Sequence, residues 1–167
     1  DTQYPISNIH FGEPVWVNIE NSVAAMAVAW LVGATEDELR HGVSSFAGVF
    51  RRFNIHLNTP QITYIDDYAH HPQELAATIE SVRQLYPDRY VIGVFQPHLF
   101  SRTRDFADAF AEVLSQLDEV ALLPIYPARE QPIEGVNSEW LMDKIIVKRA
   151  LVLPTILPKY LRERVKN

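Results

Sequence analysis

Apolar positions along the chain fall into two kinds of run. Short, nearly unbroken ones (ITYI at 62–65, RYVIGVF at 89–95, EVALLPIY at 119–126, ALVL at 150–153) read as strands covered on both faces. Longer ones repeat at helical spacing. QELAATIESVRQLY (73–86) puts Leu75, Ile79, Val82 and Leu85 on one face, and DFADAFAEVLSQL (105–117) turns Phe106, Phe110, Val113, Leu114 and Leu117 inward. Shorter helical pieces are expected at EWLMDKI (139–145) and PKYLRERVKN (158–167). From residue 62 onward the order is β-α-β-α-β-α-β. That order predicts an open, mainly parallel α/β sheet with helices on both faces.

The region before residue 49 does not fit this repeat. Residues 19–33, IENSVAAMAVAWLVG, are apolar almost all round and predict a buried helix stopped by Gly33. Thr35 and Glu38 form the two ends of a capping box that starts a second helix. FAGVFRRF (46–53) then leads into FNIHLN (53–58), which Thr59-Pro60 separates from ITYI, the spacing of a hairpin.

The 167 residues are 47% hydrophobic with a formal net charge of −6, enough for a substantial core and without the basic stripe that duplex nucleic acid requires. There is no cysteine, so thiol nucleophiles, disulfides and thiolate metal sites are excluded, in keeping with a cytoplasmic protein. The longest apolar run, Val23–Ala34, is about half of a bilayer span, so no membrane partner is expected.

The chemistry gathers in loops that follow strands: DDYAHHP (66–72), QPHLFSRTR (96–104) and PAREQP (127–132). In open α/β sheets ligands bind at the carboxyl ends of the strands. His70, His71, His98, Arg102, Arg104 and Arg129 on one such edge would suit an anion, because arginine grips a carboxylate or phosphate with two parallel bonds. Plain structural readings stand beside this one. Asp66 or Asp67 could cap the helix at Pro72. The two histidines could be a solvated turn, and Arg51-Arg52 a solvated pair. Arg102 and Arg104 sit at what reads as a helix start, where the dipole disfavours cations, and an ion pair with Asp105 or Asp108 would account for them. A zinc site from His70, His71 and His98 is disfavoured, because adjacent histidines point to opposite sides of an extended chain.

DDYAHHPQE, FQPHLFSRTRDF, NIENSVAAMAVAWLVGA, FAGVFRRF and IYPAREQPI together resemble the Mur ligases over nearly the whole chain, and within that family the members that add L-alanine to UDP-N-acetylmuramate. A tripeptide-recycling ligase shares the first motif and is the near alternative. A non-catalytic α/β binding module for an acidic ligand is the alternative from another class. The resemblance implies a cytoplasmic ATP-dependent ligase of peptidoglycan precursor synthesis, working through an acyl phosphate with ATP and magnesium. Its partners would be UDP-N-acetylmuramate, L-alanine and ATP. Residues 1–48 would be the tail of the central ATPase domain and 49–167 the C-terminal Rossmann-like domain, the N-terminal domain and the rest of the central one lying outside this chain. A phosphate loop of the form G-x-x-x-x-G-K-[ST] is expected upstream, since no Gly-Lys pair occurs here, and a further strand after the last residue; this chain alone is expected to bind no cofactor and to be inactive.

Residue by residue, the resemblance assigns Asn18, Asn21, Arg52 and Asp67 to the nucleotide, and Tyr68, His70, His98 and Arg102 to the amino acid. It assigns no catalytic residue and no metal ligand. Two positions depart from the family pattern: Val17 stands where a histidine is usual, and Leu99 where many members carry another arginine.

Overall fold

The computed structural model describes residues 16–46 and 50–165, with the side chains of residues 16–18 left out. Residues 1–15, residues 47–49 of the connector FAGVFRRF and the last two residues of the C-terminal helical piece lie outside that description. The chain divides into two compact units, with the break between Tyr68 and Ala69.

In the first unit, helices α1 (Trp16–Leu31) and α2 (Glu36–Ser45) precede strands β1 (Asn54–Asn58) and β2 (Thr63–Asp66). The capping box at α2 forms as expected. Thr35 Oγ1 accepts from the Glu38 amide at 3.3 Å, and Glu38 Oε2 accepts from the Thr35 amide at 2.8 Å. Two expectations change here. The apolar stripe of α1 is not buried: Val23, Val28, Trp30 and Leu31 are all exposed. Its neighbour α2 is polar and has no buried residue of its own, so it cannot cover that stripe. The ITYI strand does not join the parallel sheet either. It pairs antiparallel with β1, because a connection this short returns the chain alongside itself. Thr59 closes that connection, its amide donating to Ile62 O at 2.8 Å and its hydroxyl accepting from the Ile62 amide at 2.9 Å.

The second unit is the α/β domain. It runs α3 (Pro72–Leu85), β3 (Ile92–Phe95), α4 (Phe100–Asp105), α5 (Ala107–Leu114), β4 (Glu119–Leu122), α6 (Ser138–Met142), β5 (Lys148–Leu151) and α7 (Leu157–Arg164). Its strands form a parallel sheet in the order β3-β4-β5. Every residue of the central strand β4 is buried. Alternation along β4 separates two cores. Val120 and Leu122 face Ile79 of α3, Phe110 and Leu114 of α5 and Leu141 of α6, while Ala121 and Leu123 face Leu157 and Tyr160 of α7. The helices therefore cover both faces, as expected for a Rossmann-like sheet.

The helix expected over 105–117 is α5, shortened to Ala107–Leu114. Helix α4 begins inside the stretch read as a loop, and the chain breaks at Phe106 (φ −116°, ψ 17°) before α5. Phe106 is consequently not a core residue; it is 38% exposed and its ring meets that of His71 edge-on at 4.6 Å. Arg102 and Arg104 then lie in the last turn of α4, where the helix dipole favours cations, and not at a helix start.

Candidate functional site

The carboxyl ends of β3 and β4 are tied together beyond the strands. His98 and Tyr126 form a parallel bridge, the Leu99 amide donates to Tyr126 O at 2.9 Å, and the Tyr126 amide donates to Pro97 O at 2.8 Å. The His98 and Tyr126 rings stack with centroids 5.5 Å apart. Leu99 then takes a left-handed conformation (φ 73°) that turns the chain into α4. No side chain of its own end caps this short helix. Glu130, from the loop after β4, does so instead: its carboxylate accepts from the Ser101 amide at 2.9 Å and from the Ser101 hydroxyl. These bonds hold the Glu130 carboxyl below the usual carboxylate range. Thr103, fully buried, donates back to Leu99 O at 2.7 Å and closes the turn.

That scaffold sets Arg102 beside His98. Among the described residues, Arg102 Nη1 and His98 Nδ1 are buried nitrogens without a hydrogen-bond partner. Burial lowers the His98 pKa, and the charges of Arg102 and His70 push it the same way, against a smaller opposing pull from Glu130. Leaving a buried guanidinium nitrogen unpaired costs about 1–3 kcal/mol or more. An oxyanion would satisfy it through a charge-assisted bond. Arg104 does not share this place; it is exposed and paired with Asp105 at 2.8 Å, one of the plain readings the sequence offered. Arg129 is exposed as well.

His70 and His71 open α3 in this same unit. Glu74 Oε2 accepts from both their amides, at 3.0 and 3.2 Å, and lies 3.3 Å from His70 Nδ1. The helix cap is His71, whose Nδ1 accepts from the Gln73 amide at 3.4 Å; neither Asp66 nor Asp67 takes that part.

The first unit brings together Arg52, Asp67 and Tyr68 at the open end of the hairpin. Asp67 Oδ2 accepts from the Phe53 amide at 2.8 Å, and the Tyr68 amide donates to Arg51 O at 2.7 Å. The Arg51 guanidinium lies over the Tyr68 ring at 4.7 Å from its centroid, and its Nε is 3.8 Å from Asp66. Arg51 (φ 61°) and Phe53 (φ 48°) are both left-handed, a conformation that costs non-glycine residues on the order of 1–3 kcal/mol each and persists only where surroundings enforce it. Arg52, between them, is exposed. Asn18 and Asn21 lie on α1, Asn21 exposed; the side chains of Val17 and Asn18 are outside the described ones.

Sequence reasoning passed over Glu130, Tyr126 and Glu74. Glu74 was within reach, since it stands three residues after the cap, the spacing of a capping box. The Glu130–Ser101 contact spans 29 residues and carries no local signal.

Residues 51–159 match the sequence profile of the Mur ligase, glutamate ligase domain. The chain belongs to the Mur ligase family. A curated relative, the UDP-N-acetylmuramate–L-alanine ligase of Parabacteroides distasonis, is 57% identical over 142 residues, which are 85% of this chain and 31% of that protein. The chain thus spans about a third of the length of the curated relatives it matches. Two solved structures share the fold of this Mur ligase chain. A UDP-N-acetylmuramate–alanine ligase from Thermotoga maritima has a TM-score of 0.71 at 24% identity, covering 89% of this chain and 32% of that one. A murein peptide ligase from Psychrobacter arcticus has a TM-score of 0.63 at 18% identity, covering 93% and 32%.

An exposed arginine held on a fixed turn, such as Arg52, suits an anion in solution, and the buried unpaired nitrogen of Arg102 suits an oxyanion. Among the described residues no group of three His, Cys, Asp or Glu side chains could hold a metal ion.

Proposed function

We propose that this chain is the amino-acid-binding C-terminal part of an ATP-dependent ligase that joins L-alanine to UDP-N-acetylmuramate. The observation that carries this reading is the buried, unpaired nitrogen of Arg102 beside His98 at the carboxyl edge of the parallel sheet. The 57% identity to an L-alanine ligase supports the choice of substrate. Residues 49–167 form the C-terminal domain, which the family profile beginning at residue 51 supports, and residues 1–48 are the end of the central ATPase domain.

ATP supplies the phosphoryl group that activates the muramyl carboxylate as an acyl phosphate, which the amine of L-alanine then attacks as phosphate leaves. The work of this chain is to position and to exclude water. Arg102 holds the alanine carboxylate, with His98 beside it. The carboxylate must be held and the amine left free, and a guanidinium can only donate, so it grips one end and leaves the other. Tyr68, in the first unit, and His70, in the second, are the other residues that the family resemblance assigns to the amino acid. Arg52, Asp67, Asn18 and Asn21 belong to the nucleotide. The reaction takes place in the cytoplasm, where ATP is available; no helix among the described residues is long and apolar enough to cross a membrane.

The test is the full-length enzyme carrying this chain, supplied with UDP-N-acetylmuramate, ATP and either L-alanine or the ready-made tripeptide. Phosphate release coupled to an alanine adduct of the sugar nucleotide, seen by mass spectrometry, is expected. An adduct with the tripeptide only would make this a recycling ligase, and no adduct with either would leave a binding module.

A further inference from the structure

Arg52 is bracketed by two peptide groups, and each is tied to one of two consecutive residues. The carbonyl of the 51–52 peptide accepts from the Tyr68 amide at 2.7 Å, and the N–H of the 52–53 peptide donates to Asp67 Oδ2 at 2.8 Å. On either side stand the left-handed Arg51 and Phe53. A left-handed phenylalanine is uncommon, because its Cβ crowds the backbone. Here its ring is buried, 4% exposed, so the turn cannot relax without withdrawing that ring from its packing. The result is an arginine whose backbone is fixed from both sides while its side chain stands exposed. A strained turn around an exposed cation, held by a carboxylate acting on the backbone, is an arrangement for aiming the cation.

We infer that Asp67 is a positioning residue for Arg52: by accepting the Phe53 amide it locks the Arg51–Phe53 turn and sets the direction in which Arg52 meets the anionic part of the nucleotide. This rests on the assignment of Arg52 to the nucleotide and gives Asp67 a role distinct from any contact of its own with the nucleotide. An aspartate that only touched the nucleotide itself would act independently of Arg52.

The experiment is a double-mutant cycle in the full-length enzyme, with Arg52→Ala, Asp67→Ala and the pair, reading KM for ATP and for L-alanine separately. Arg52→Ala is expected to raise the KM for ATP about tenfold or more, with Asp67→Ala close behind, and the pair to exceed Arg52→Ala by no more than about twofold, since residues acting as a unit do not add. The KM for L-alanine should move less than about twofold in each, which a general loss of folding would not spare. Asp67→Asn keeps an acceptor oxygen for the Phe53 amide and is expected to stay within about threefold of the parent in the KM for ATP; it also serves if Asp67→Ala fails to fold. A cycle in which the two losses multiply would overturn the positioning role and leave the nucleotide assignment standing, as would Asp67→Asn falling as far as Arg52→Ala. If Arg52→Ala left the KM for ATP unchanged, both would fall together.

Discussion

His98 and Arg102 share one burial problem, and each reports on the other. The imidazole is disfavoured as a cation by its surroundings and by the guanidinium at its side. In the isolated chain, the NMR titration of His98 is therefore expected to have its midpoint below 6.5, and Arg102→Ala should move that midpoint upward, because a repelling charge has gone. A midpoint at or above 6.5, indifferent to Arg102, would mean that the two do not face each other. Glu130 is the residue that makes this placement hold, since it supplies the cap that Leu99 lacks. In the full-length enzyme, Glu130→Ala should raise the KM for L-alanine by about three- to tenfold while leaving that for ATP unchanged, as a misplaced binding group does.

At the scale of elements, the α/β alternation was legible because buried strands and amphipathic helices differ in period. Phe110, Val113, Leu114 and Leu117 all went inward as their spacing required. The split between α4 and α5 was not legible. The start of α4 depends on a left-handed Leu99 and a glutamate from another loop, neither of which leaves a mark in the local pattern. The exposure of α1 was missed for a different reason: periodicity says that a face is apolar but not what covers it. The opposite end of the sheet holds a buried charge that sequence reasoning also passed over. Glu119, 1% exposed, is bonded by Lys148 at 2.8 Å, by Tyr160 at 2.5 Å, by Tyr90 at 3.2 Å and by Arg164. Burial alone would raise its pKa, but the bonds from Lys148, Tyr160 and Arg164 outweigh it and hold the group at about 2, while burial and Glu119 itself push Tyr160 up to about 12. With a folded pKa below the ordinary 4.5, this contribution is fully present above pH 4.5 and is lost as the pH falls from there toward 2. A gap of that size is worth on the order of 3 kcal/mol. Urea denaturation of the chain should show that loss over this window, and Glu119→Gln should cost about 2–4 kcal/mol at neutral pH while flattening the acid limb. Equal stability of the two proteins at pH 7 would show that the cluster does not fasten α7 to the sheet.

For the whole molecule, the proposed site residues fall into two groups, one around Arg52 assigned to a nucleotide and another around Arg102 assigned to a carboxylate. Neither carries a phosphate loop, as the 167 residues contain no Gly-Lys pair. The chain by itself is therefore expected to release no phosphate from ATP, with or without L-alanine, and alanine-dependent release from the purified chain would contradict that. The central claim is that Arg102 holds the carboxylate of the incoming amino acid, and steady-state kinetics of Arg102→Ala in the full-length enzyme, with L-alanine and ATP varied separately, test it most directly. A charge-assisted bond is worth about 1.5–3 kcal/mol, so kcat/KM for L-alanine should fall roughly ten- to a hundredfold, carried mainly by KM for L-alanine, with KM for ATP little changed. Arg104→Ala, which only releases Asp105 at the surface, should do far less. A rise confined to the KM for ATP, or an equal loss from Arg104→Ala, would contradict the account.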